Sequence, residues 1–157
     1  MNIKHVLASI MLFFAIVTNA QTTKNDNSPV MIENLSRFGF SATVDSLSKT
    51  AVQKGWKVTI IHDLQETMKK NGKEVLPVKV MEICNAGLAF QILSNDELRN
   101  ASPMLPCRIS VYEKSDGKTY VSRMNAPAFA GMMGGNAAKT IVQAFNEAEE
   151  FVKVVVQ

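Results

Sequence analysis

Cys84 and Cys107 are the residues whose type first suggests chemistry, and each has polar or rigid company. Asn85 follows Cys84 directly, Glu82 falls on the same face of a strand, and Pro106 precedes Cys107. With His62, these residues make a candidate pocket at the mouth of a sheet: Glu82, Cys84, Asn85, Pro106, Cys107 and His62. A thiolate in such a place can act as nucleophile, redox group or soft-metal ligand. The spacing of the cysteines, however, is neither C-x-x-C nor a zinc pattern. The motif therefore assigns no metal and no catalytic residue, and the cofactor stays open.

Two other readings stand beside the chemical one. A secreted chain with two cysteines can join them, closing a loop that stabilises the fold by roughly 3 kcal/mol. Buried free cysteines are also commonly small inert hydrophobes. Topology decides which can hold. If the strands bearing them were parallel neighbours, a strand of about seven residues would part the sulfurs by roughly 20 Å. If the chain instead turns back before Pro106, the two can meet.

The remaining candidates have plainer explanations. His62 sits at a strand end, where a lone histidine is ordinarily a hydrogen-bonded surface group, although it could serve as a base. Beyond residue 20, methionines run from Met31 to Met133 and could hold Cu(I) beside a cysteine, but their scatter fits core filling. Lys69, Lys70 and Lys73 alternate with Glu66 and Glu74 as on a solvated helix face. Met132-Met133-Gly134-Gly135 lacks the strand before it and the Lys-Ser/Thr after it that a phosphate loop needs. The apolar run 129–133 suits a subunit contact better.

The elements that must position these residues follow from periodicity. Phe38 and Phe40 flank Gly39 and predict a first strand over 37–42; residues 43–55 predict a helix with Val44, Leu47 and Ala51 on one face, capped by Thr43 and stopped at Gly55. A strand over 56–62 follows, then a short helix or loop from Asp63 to Asn71. Residues 78–84 alternate so that Val78, Val80, Glu82 and Cys84 share a face opposite Lys79, Met81 and Ile83. Asn85 caps a helix over 86–93, and Pro103 and Pro106 make a stiff, extended approach to Cys107. Asp116-Gly117 predicts a tight hairpin between strands 108–113 and 118–124. Ala137, Ile141, Ala144, Phe145, Ala148 and Val152 recur at helical spacing in a long final helix from Asn136, which 154–156 either prolong or fray from. The order predicts a single α+β domain, one predominantly antiparallel or mixed sheet of about five strands with helices packed on it.

At the front, Lys4, the apolar run 6–17 and Thr18-Asn19-Ala20 have the form of a signal peptide over 1–20, with cleavage between Ala20 and Gln21. A dozen apolar residues fall short of the roughly 20 that span a bilayer, so membrane contact is expected only in transit during export. Residues 21–33 read as a flexible polar leader, and the domain as 34–157. The formal net charge of +3 is small and evenly spread, which argues against a nucleic-acid partner.

The stretch around the cysteines also resembles the domain-of-unknown-function 302 family over residues 38–124. The resemblance lies in Lys54-Gly55-Trp56, in Val80-Met81-Glu82-Ile83-Cys84-Asn85 leading to a helix, in Leu105-Pro106-Cys107-Arg108-Ile109, and in Val111-Tyr112-Glu113 with Asp116-Gly117-Lys118. Ala86 stands where the family pattern has a proline after Cys-Asn. What the resemblance implies is a compact α+β domain that tends to form a homodimer, with no agreed activity.

The expectation is an exported protein, periplasmic or secreted, that binds a small ligand or a partner without catalysis. The alternative is a thiol-dependent redox or metal-binding protein using Cys84 and Cys107.

Overall fold

A computed structural model describes residues 28–157. The expected signal peptide lies outside the described residues. Five strands form one antiparallel sheet in the order β1-β5-β4-β3-β2: β1 Met31–Leu35, β2 Lys57–Asp63, β3 Val78–Cys84, β4 Cys107–Glu113 and β5 Thr119–Met124. The helices are α1 Phe40–Gln53, α2 Leu64–Lys70, α3 Ala86–Leu93, α4 Ala126–Met133 and α5 Gly135–Val152, with a 3-10 helix at Arg99–Met104. The α+β class, with an antiparallel sheet, is as expected.

Alternation on the strands sorts the sheet into two faces. Met81, Ile83, Ile109, Val111 and Val121 turn to the helices and are buried. Val80, Glu82, Arg108, Ser110, Tyr112 and Ser122 occupy the alternate positions and form the outer face. The helical side is closed by Leu47 and Ala51 of α1 and by Ala144, Ala148, Phe151 and Val152 of α5. Trp56 meets Phe151 edge to face, ring centroids 5.4 Å apart, a geometry that adds to plain burial. A second apolar cluster gathers Ile92, Ala101, Ala126, Ala137 and Ile141 around the α4 and α5 helices.

Local chemistry explains most element ends. Asp63 accepts from the Glu66 amide at 2.9 Å and starts α2; Asn85 accepts from Gly87 and Leu88 amides at 3.0 and 3.3 Å and starts α3. Gly117, with φ of +73°, closes the β4–β5 hairpin.

Three expectations at the ends of the chain are corrected. The strand foreseen over 37–42 is a corner leading into α1; the first strand is β1, beginning at Met31 within the stretch read as leader. The order of β1 comes from a partner remote in sequence, since Met31 to Leu35 pair with Met124 to Tyr120. Thr43 does not cap α1, which begins three residues earlier; its buried hydroxyl donates back to the Gly39 carbonyl at 2.9 Å. Residues 154–156 neither extend α5 nor fray: Val155 is fully buried and Val156 bridges Ser36, tying the C-terminus to the end of β1.

Candidate functional site

β3 and β4 are antiparallel neighbours with Ile83 opposite Cys107, so α3 and the 3-10 helix bring the chain back rather than across. Cys84, Asn85, Pro106 and Cys107 therefore meet, together with Trp56 and Leu88, around a void of about 10 Å³. That space is at the lower limit for one water and holds no ligand. Both cysteines are free thiols, half-buried. Burial, then the neighbouring Cys84, pushes the Cys107 thiol up to about 11, so at neutral pH it is protonated and a poor nucleophile or metal ligand.

The other two candidates stand elsewhere. Glu82 and His62 are on the outer face, with His62 Nε2 3.3 Å from Glu82 Oε1. Arg108, which sequence reasoning passed over, donates to the same oxygen through Nε at 3.1 Å and Nη2 at 3.0 Å. The Arg108 bonds, and then His62, hold the Glu82 carboxyl below its ordinary range. Its position on β4, directly opposite Glu82 of β3, could have flagged it. The six candidates thus divide between a void too small for a ligand and an outer-face ion cluster.

The space that can take a ligand lies beside them. β4 starts at Cys107, but its pairing with β5 starts only at Ile109 opposite Arg123, leaving Cys107 and Arg108 bonded on one side. At this fork lies a cavity of about 360 Å³. Its helix-side wall is Met104, Ile109, Ile141, Phe145 and Val152, and Cys107 and Pro106 border it; Met31, Met124 and Arg108 contribute from the outer face. Ile109 and Val152 belong to the main core, while Ile141, Met104 and Phe145 belong to the second cluster. The cavity is thus the unfilled join between two apolar clusters. A larger hollow, about 590 Å³, is an open trough along Lys139, Gln143 and Glu147 of α5.

One ion pair is set into the cavity wall. Arg123, only 8 % exposed, donates from Nε and Nη2 to the two carboxylate oxygens of Glu149, both at 2.6 Å, and from Nη1 to Asn34 Oδ1 at 2.5 Å. This bidentate geometry is the strongest form such a pair takes. Neither residue was singled out from sequence. The signal was present as a charge on the inward face of each element: Arg123 alternates with Val121, and Glu149 interrupts the stripe between Ala148 and Val152.

Among the described residues, no three His, Cys, Asp or Glu side chains stand close enough to hold a metal ion, and no helix is long and apolar enough to cross a membrane.

A family model described as domain of unknown function DUF302 matches residues 32–155. The chain belongs to this family. The match extends the stretch of resemblance at both ends and takes in β1 and α5. A solved structure, described as the crystal structure of uncharacterized conserved protein DUF302 from Bacillus stearothermophilus, superposes with a TM-score of 0.70 at 20% identity. It covers 79% of this chain and 96% of that one, so the DUF302 fold is shared over nearly the whole of the solved chain. No curated protein matches.

Proposed function

We propose that this DUF302 chain is a non-catalytic binding protein that takes a small, largely apolar molecule into the cavity at the β4–β5 fork. The observation that carries this reading is a space of about 360 Å³ with apolar walls and one buried ion pair, within the size and character of small-molecule sites. Two features favour binding over reaction. Cys107, the thiol at the cavity, is held protonated, and Glu82 is engaged by Arg108 and His62. Three methionines in the lining, Met31, Met104 and Met124, give it unbranched side chains that adapt to different shapes.

Export to the periplasm or beyond and assembly as a homodimer belong to the same proposal, resting on the form of residues 1–20 and on the family resemblance. The N-terminal mass of the protein recovered from cells, and light scattering of that form, test them.

Binding is tested with 1-aminonaphthalene, an uncharged dye small enough for the cavity whose fluorescence rises in apolar surroundings. Saturable binding that Met104→Trp abolishes, with the fold intact by circular dichroism, supports the cavity. Binding untouched by that substitution places the dye elsewhere and refutes it.

A further inference from the structure

Resting on that reading, we propose that the cavity selects uncharged ligands, molecules with an apolar body and one hydrogen-bond-accepting end such as a ketone, ester or alcohol, and rejects carboxylates. An arginine in an apolar pocket would ordinarily suggest an anionic ligand. Here both arginines of the lining already have their counter-ion. Arg123 is clamped by the two oxygens of Glu149, and Arg108 is bound to Glu82 through Nε and Nη2. Each pair is neutral in sum, so an entering carboxylate brings an uncompensated negative charge beside Glu149 in a low-dielectric space. A neutral acceptor meets no such opposition. A guanidinium has five N–H donors, and Glu149 with Asn34 engage three of those on Arg123. The other two are available to an uncharged oxygen.

Size narrows the class further. At about 30 Å³ per atom, the volume of a liquid water, the cavity accommodates roughly twelve non-hydrogen atoms. That is a medium-length chain or a small terpenoid-like skeleton, not a membrane lipid.

The test is a matched series displacing 1-aminonaphthalene at pH 7: 1-decanol, decan-2-one and decanoate. The alcohol and ketone are expected to compete at least tenfold better than decanoate. In Glu149→Gln, which frees the Arg123 charge, the affinity for decanoate relative to decanol is expected to rise tenfold or more. Because that variant is open to misfolding, the wild type supplies an independent readout. As pH falls through the pKa of the fatty acid, its apparent affinity should rise to that of decanol. Decanoate competing as well as decanol at pH 7 overturns this inference and leaves the cavity reading intact; failure of 1-aminonaphthalene to bind at all overturns both.

Discussion

Ile83 faces Cys107 directly across the β3–β4 ladder, which sets the Cys107 thiol on the core side of the sheet, against the helices. Its burial raises the thiol from its usual 9.0 to about 11, and this couples stability to pH. The unfolded chain loses that proton near pH 9 and the folded chain only near 11. Stability from this group is thus complete below pH 9 and is lost as pH rises toward 11, by about 2 to 3 kcal/mol in all. Cys107→Ala should cost about 1 kcal/mol at pH 7.5 and flatten the alkaline slope. Urea midpoints of both proteins from pH 7.5 to 10 check this; parallel curves would refute it.

The same burial predicts how the thiols react. Iodoacetamide at pH 8 should modify Cys107 far more slowly in the native protein than in urea, because burial holds the thiol protonated and little thiolate exists. Peptide mass mapping over a time course reads it, and rapid native labelling of Cys107 would restore the thiol-chemistry alternative.

The Arg123–Glu149 pair should behave as a buried pair does. Arg123→Met alone leaves Glu149 facing apolar walls without its partner and should cost about 3 kcal/mol. Adding Glu149→Met should recover most of that, because the two thioether chains fill the site without charge. A double-mutant cycle by urea unfolding measures the coupling. Additive losses would show that the pair is no more than a surface contact.

How much of this was legible beforehand follows the range of the interactions involved. Asn85 and Asp63 cap helices, and Asp116-Gly117 turns the hairpin, through bonds spanning two or three residues, so sequence alone finds them. The outer and inner faces of β3 were readable from alternation for the same reason. β1 was not, because its five residues owe their order to β5, some ninety positions later. The corner at Arg37, likewise, is held by the Val155 carbonyl at 2.8 Å. The site was half legible: Cys84, Asn85, Pro106 and Cys107 do converge, yet around a void too small for a ligand. The larger cavity beside it depends on where β4 and β5 part, which no local pattern encodes.

Asn85 carries a sharper test than its cap alone. Its Oδ1 receives the first-turn amides of α3, while its Nδ2 lies 3.4 Å from Glu147, which also accepts from Trp56 Nε1 at 3.1 Å. Asn85→Ala should cost about 1 kcal/mol. Asn85→Asp keeps a good cap but sets a second carboxylate beside Glu147, so it should be less stable than the wild type at pH 7, and the deficit should shrink near pH 3. Equal stability at both pH values would mean that the Glu147 contact is not made in solution.

β1 separates the two accounts of the N-terminal stretch. Were the stretch before Ser36 no part of the folded domain, chains beginning at Ser28 and at Ser36 would be equally stable. The structure gives β1 several jobs: five positions paired to β5, a Glu33 carboxylate that takes the Lys114 ammonium at 2.5 Å and the Tyr112 hydroxyl, and the Asn34 side-chain Oδ1 that accepts from Arg123 Nη1. Removing it also leaves β5 as an unpaired edge, a template for association. The chain from Ser36 should lose more than about 2 kcal/mol, beyond an ordinary substitution, and should aggregate on warming. The chain from Ser28 should unfold like the longer protein. Matching urea curves for the two truncated chains would return residues 31–33 to the leader.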